Sequence, residues 1–125
     1  MRKQTRSTLS DRAVTVSGAI IRVVMADPVP TESDVETKVC EYADKVGVMH
    51  LKLNVLGRVG WPDRIFLYFG RVLFIEFKRP GEKPRKIQEY IHGKIRSHGF
   101  AVRVVDTVPD GVNHIRELTK SCPHL

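Results

Sequence analysis

GWPDRIFLYFGRVLFIEFK, residues 60–78, reads as two strands and the turn that joins them. Val72, Phe74, Glu76 and Lys78 alternate with Leu73, Ile75 and Phe77 in the period of two that a strand imposes. Glu76 and Lys78 therefore leave one face of a sheet side by side. Arg64 to Tyr68 is strand-like as well, and Phe69-Gly70 sits where a hairpin needs its turn. A loop centred there sets Asp63 opposite Glu76. Cross-strand partners stand about 4.5 to 5.5 Å apart at Cα, close enough for two carboxylates to repel. A divalent cation between them removes that penalty. The apolar residues on both faces of 72–77 predict a strand inside the sheet, where charges require a reason. Read alone, the same residues also fit an ordinary hairpin with a surface ion pair, which contributes little to stability.

Downstream, Arg79 to Lys83 reads as a turn, and Pro84 suits the first position of a helix that Gly99 ends. Ile87, Ile91 and Ile95 predict its buried stripe, with Gln88 beside it and near enough to the sheet to share a cleft with Glu76 and Lys78. Phe100 to Val105 predicts a buried strand, and Asp110 caps a closing helix that contains Val112, Ile115 and Leu118. Upstream, Thr31 or Ser33 caps a helix running to about Val46, with Val35, Val39, Tyr42 and Val46 on one stripe. Glu36 lies at the margin of that stripe. With Ser33 it has capping-box spacing, so it either bonds the helix start or looks into a cleft from the edge. Val48 to Leu53 predicts the first core strand, in which His50 reads as structural, and Asn54 to Gly60 forms a glycine-bearing loop.

Residues 1–12 are basic and rich in Ser and Thr, the composition of a loosely attached arm. Val14 to Met25 is apolar and β-branched and predicts an added strand; a targeting segment is the weaker alternative, and Met25 is an alternative start. Asp27 to Pro30 acts as a linker. The chain thus divides into an arm with an extra strand, residues 1–30, and one domain, residues 31–125. Its 125 residues suffice for a single core, and 42% hydrophobic with 28% charged residues is a globular balance. No apolar run approaches the roughly 20 residues of a membrane span. The net charge of +7 favours a polyanionic partner, nucleic acid or a lipid surface. Residues 79–103 carry seven Lys or Arg against two acids, whereas residues 31–47 carry five acids against two bases, so positive charge follows the candidate site. Cys40 and Cys122 lack the paired spacing of a structural zinc site and read as reduced thiols.

Pro62-Asp63 followed by Glu76-Phe77-Lys78 resembles the PD-(D/E)XK nuclease pattern. More narrowly, G-x-P-D-R, then F-I-E-F-K-R-P-G, then Gln88 resembles the VRR-NUC domain of phage and repair nucleases, over roughly Glu32 to Asp106. The resemblance implies an α/β fold with a restriction-endonuclease-like core, a central mixed β-sheet flanked by helices in the order α, β, β, β, α, β, α. It implies Asp63, Glu76 and the Phe77 carbonyl as ligands of Mg²⁺ or Mn²⁺, completed by an acid on the first helix. Glu36 matches that place, with Glu32 one turn earlier as its substitute. Lys78 would orient or help deprotonate a water and stabilise the anionic transition state, and Gln88 would position water or phosphate. Lys52, Arg64, Arg79, Lys83, Arg85 and Lys86 are the candidate phosphate contacts. The implied function is a structure-selective endodeoxyribonuclease of DNA repair, acting as a homodimer on branched DNA such as Holliday junctions, in the cytoplasm of a bacterium or phage-infected cell. Competing readings are a non-catalytic nucleic-acid-binding module on the same fold, a flap or nicking enzyme, and a restriction-type nuclease. The last needs base-reading elements for which this chain has little room.

Overall fold

The computed structural model describes residues 9–16, 18–26 and 28–120. At the start, β1 (Leu9–Val16) and β2 (Ala19–Ala26) pair antiparallel, Leu9 with Ala26 through Val16 with Ala19, in a two-stranded sheet of their own. The expected arm is thereby corrected: residues 9–12 are strand, while residues 1–8 lie outside the described residues, as does Cys122. The β-branched run around residues 14–25 splits at Gly18 into two strands that pair with each other, and neither joins the main sheet.

The main sheet is built from β3 (Met49–Lys52), β4 (Arg64–Tyr68), β5 (Arg71–Phe77) and β6 (Ala101–Val105), side by side in that order. The first three run antiparallel, and β5 and β6 run parallel across the connecting helix α2 (Lys86–Ser97). With α1 (Glu32–Lys45) before the sheet and α3 (Val108–Thr119) after it, the order is that of a restriction-endonuclease-like α/β core. The hairpin turn falls on Phe69 and Gly70, both with positive φ, as the two-residue turn matched to strand twist requires. Arg64 then faces Ile75 and Tyr68 faces Arg71, a register that carries Asp63 toward Glu76 at the open end. β5 is interior, and β3 is an outer strand.

Helices α1 and α3 cover one sheet face. Val35, Val39 and Ala43 of α1 and Ile115 of α3 pack with Phe66, Leu73, Ile75, Phe77 and Val105 in one buried cluster. The two helices approach closely because Gly111 has no side chain: a Cβ there would lie 2.4 Å from Val39 Cγ2. Helix α2 packs over β6 on the opposite face, where alternation along β5 puts Phe74, Glu76 and Lys78.

Two helix starts differ from expectation, and the first resolves an open choice. Thr31 caps α1 through a box with Asp34, so Ser33 and Glu36 form no capping pair and Glu36 is left to reach elsewhere. Arg85, not Pro84, flanks α2, and Thr107 caps α3 by accepting from the Asp110 N–H, where Asp110 itself was the expected cap. The buried stripe of α2 also turns. Gln88, His92 and Ile95 are buried, while Ile87 is exposed and Ile91 only partly covered. The sheet face beneath offers Glu76 and Lys78, which call for polar partners.

Candidate active site

Asp63 stands one residue before β4 and Glu76 near the end of β5. Asp63 is drawn inward because its Oδ2 accepts from the Phe77 N–H at 2.7 Å, while its own carbonyl accepts from the Leu53 N–H at 2.8 Å. The buried Pro62 fixes the backbone just before it. Lys78 continues β5 one residue beyond Phe77, donating its N–H to the Val105 carbonyl at 2.9 Å, so its side chain leaves on the face of Glu76. The ammonium lies 3.3 Å from Glu76 Oε2, and both residues are buried. From above, Gln88 donates through Nε2 to the same Oε2 at 2.7 Å.

The other carboxylate oxygen, Glu76 Oε1, is buried and has no hydrogen-bond partner. Burial first, and the charge of Asp63 second, push the Glu76 carboxyl up to about 7 against the pull of Lys78. Burial likewise raises Asp63, although the Phe77 N–H lowers it in part. One ammonium therefore leaves two adjacent carboxylates short of positive charge. The arrangement fits a small hard cation: Glu76 Oε1 has no protein partner, and two adjacent carboxylates share one ammonium. Among the described residues no three His, Cys, Asp or Glu side chains gather closely enough to enclose a metal ion. Two carboxylates without a closed cage suit Mg²⁺, which keeps several waters and substrate phosphate oxygens in its shell.

Glu36 is held elsewhere. Its carboxylate accepts from Lys52 Nζ at 2.9 and 3.0 Å and from Arg64 Nε, on the α1 side of the sheet. Burial alone would raise this carboxyl, but the hydrogen bonds from Arg64 and Lys52 outweigh it and hold it below the ordinary glutamate range. Arg64 also donates to His50 Nδ1 at 3.1 Å. A guanidinium only donates, so the proton of the neutral ring sits on Nε2 and is shared with Asp44 at 2.8 Å. Thus Asp63, Glu76, Lys78 and Gln88 come together, while Glu36, Lys52 and Arg64 form a neighbouring ion cluster. That cluster is still felt at the site: Lys52 lowers the Asp63 carboxyl and Glu36 raises it, while Glu32, outside the cluster, raises Glu76. Arg79, Lys83, Arg85 and Lys86 are exposed around the turn and the start of α2. The Gly81 N–H anchors that turn to Asp106 Oδ2 at 2.9 Å.

Sequence reasoning missed His92. It is 1% exposed, one helical turn beyond Gln88, and its Nε2 has no partner. Burial, with Arg96 and Lys78 nearby, lowers its pKa below the ordinary value, so the ring is neutral at pH 7. Its spacing of four residues from Gln88 is the signal that was available. Cys40 is buried and free, and burial pushes its thiol up to about 11, which makes it inert.

No family model matches the chain. Its sequence is similar to "Putative nuclease p44" of Acyrthosiphon pisum secondary endosymbiont phage 1, at 35% identity over 77 residues that make up 61% of this chain and 83% of the relative. Its fold is similar to a solved structure described as a VRR_NUC domain. The TM-score is 0.63 at 30% identity, over 70% of this chain and 96% of the other.

Proposed function

The chain belongs to the VRR-NUC family of nucleases, and from that premise we propose that it is a metal-dependent endonuclease that hydrolyses phosphodiester bonds in branched DNA. The observation that carries the reading is the buried, unpartnered Glu76 Oε1 beside Asp63, with Lys78 and Gln88 gathered on the opposite carboxylate oxygen. Asp63 and Glu76 would hold Mg²⁺ or Mn²⁺, joined by the Phe77 carbonyl. Glu36 would tune the site through Lys52 and Arg64. When bound, such an ion neutralises phosphate charge and makes a water nucleophilic near neutral pH.

The chain's own groups do the rest. Lys78 is fixed by Glu76, so its ammonium is already aimed where negative charge grows on the phosphate and where an attacking water must be oriented. Gln88 restrains the Glu76 carboxylate through Oε2 and leaves Oε1 without a protein partner. Arg79, Lys83, Arg85 and Lys86 supply a basic approach for the strands flanking the cut. Two copies related by a two-fold axis would make the paired cuts that a four-way junction needs.

The test is incubation of the purified protein with linear, flap and four-way DNA, in Mg²⁺, Mn²⁺ or chelator. Cleavage confined to metal and favouring branched substrates is the expected result. DNA binding without cleavage under any metal would leave the non-catalytic module as the reading.

A further inference from the structure

We propose that the cavity between the loop before Asp63 and helix α2 seats one unpaired nucleobase of the DNA substrate, beside the bond to be cut. This rests on the nuclease reading above and specifies how a branch would be selected.

The cavity holds about 340 Å³, within the roughly 300 to 1,000 Å³ of small-molecule sites. Trp61, Phe74 and Phe100 give it aromatic walls, and Arg58, Lys94 and His98 stand around it; no carboxylate lines it. Phe74 and Phe100 meet edge to face, with centroids 6.3 Å apart. Aromatic faces in an almost wholly apolar cavity, with the stems of Arg58 and Lys94 at its edge, are the chemistry that stacks the bases of single-stranded nucleic acid.

The wall is built, not incidental. Gly60 adopts φ +88°, and a Cβ there would lie 2.8 Å from the Ile87 carbonyl oxygen and 3.0 Å from Ile91 Cγ1. The loop therefore runs flush against α2, and the next residue, Trp61, is pinned between that contact and buried Pro62. The indole Nε1 is buried without an acceptor.

Position ties the cavity to the acids. Phe74 precedes Glu76 by two residues on the same face, about 6.6 Å along the strand, and Trp61 precedes Asp63 by two. A base in the cavity thus belongs to a nucleotide next to the phosphate that would be cut beside Asp63 and Glu76. Paired bases hide their faces in the duplex stack, so only an unpaired nucleotide, as at a branch or flap, can enter without the cost of unstacking.

Trp61 is the single tryptophan of the chain and reports on its own site. The full chain, in chelator, is titrated with a labelled oligothymidylate and with an abasic strand of equal length, reading Trp61 fluorescence and strand anisotropy together. Wild-type cleavage of flap DNA in Mg²⁺ is measured in parallel. Expected are quenching by the base-bearing strand only, and about ten-fold tighter binding of it, equivalent to about 1.4 kcal/mol. Phe100→Ala, at a residue 45% exposed, and Phe100→Leu, which keeps apolar volume without the ring face, should each abolish that preference and leave the abasic strand unaffected. Equal affinity and equal quenching by both strands, with flap cleavage intact, overturns the base seat alone. Absence of both strand binding and cleavage overturns the nuclease reading and the base seat with it.

Discussion

Gln88 joins helix α2 to strand β5 by both ends of its amide: Oε1 accepts from the Arg85 N–H at 2.8 Å, and Nε2 donates to Glu76 Oε2 at 2.7 Å. The backbone N–H of Arg85 can only donate, which fixes the amide's orientation and leaves Nε2 for the carboxylate. One side chain thus holds the helix start and orients the candidate metal ligand.

Two substitutions separate these roles. Gln88→Ala loses both bonds and should lower turnover about 10- to 100-fold, the usual cost of removing a group that orients a ligand. It should also cost about 1 kcal/mol of stability through the lost cap. Gln88→Glu can still accept from Arg85 N–H but sets a third carboxylate against Glu76, so it should lose more activity with a smaller loss of stability. Steady-state cleavage and thermal melts check both. Wild-type turnover in Gln88→Ala would reduce the residue to a helix cap.

Glu36 carries a different expectation. Its side chain is 12% exposed and neutralises Arg64, which is 22% exposed. Glu36→Gln leaves a half-buried guanidinium short of charge and should destabilise by about 1.5 to 3 kcal/mol. Lys52→Ala, at a side chain 56% exposed, should cost less than about 1 kcal/mol. Equal losses in urea melts would show that the cluster is not organised around Arg64.

How much of this was legible in the sequence follows from the range of the forces involved. The β4–β5 register could be read because a two-residue turn and the period of two are local rules, and Phe69-Gly70 obeys both. The α/β order was legible from the same periodicities, together with the family resemblance. The face that α2 buries was not. Three isoleucines at helical spacing outweigh Gln88 and His92 in any apolar count, and only the charged strand beneath the helix reverses the choice. The partners of Glu36 were likewise hidden, because Lys52 and Arg64 meet it through β3–β4 pairing, 16 and 28 residues away. The cap was left open for a smaller reason: Thr31 and Ser33 both fit, and the structure's choice of Thr31 leaves Glu36 out of the capping box.

DNA binding should weaken steeply with salt. Each duplex phosphate neutralised contributes a log-log slope of about −0.9. Replacing Lys83 or Lys86, both exposed, should reduce the slope by about one and weaken all sequences alike. Anisotropy titrations across a salt series measure it, and an unchanged slope would remove the start of α2 from the DNA surface.

Paired incision calls for two copies. The closing helix is occupied at home, with Ile115 fully buried against α1 and the sheet. The outer strand β3 instead exposes Met49 at 62% and Leu51 at 56%, beside an edge that no strand among the described residues pairs. Light scattering should give twice the 14.2 kDa chain mass, and Leu51→Glu should return it to one. A cruciform plasmid should be linearised by the parent and only nicked by the variant. A monomeric parent that makes single nicks would exclude the dimer and leave the nuclease.

The final expectation concerns pH and metal together. An ordinary glutamate ionises near 4.5, whereas Glu76 in the fold does so at about 7. Between those values the folded chain keeps a proton that the unfolded chain has released. The stability contributed by this carboxyl therefore falls as pH rises through the window, and above 7 the penalty is complete, on the order of 3 kcal/mol. Asp63 adds to it in the same direction from its ordinary 3.8 upward. His92 acts oppositely: its folded pKa lies below 6.5, so stability falls as pH drops through that value and the unfolded ring takes up a proton. Glu76→Gln removes one of these terms and keeps an acceptor for Gln88. Its stability advantage over the metal-free parent should be small near pH 5 and grow until about pH 7, then level off. A cation that binds only the ionised pair reverses the ranking, since ligand linkage stabilises the parent by RT ln(1 + [L]/Kd). Mg²⁺ should thus raise the parent's melting temperature at pH 8, hardly move it at pH 5.5, and leave Glu76→Gln unchanged at both. Calorimetric scans across that range, with Mg²⁺ and with chelator, decide the matter. A parent and variant that run parallel with pH would show that Glu76 ionises normally, and a Mg²⁺ effect retained by the variant would move the cation away from this carboxylate.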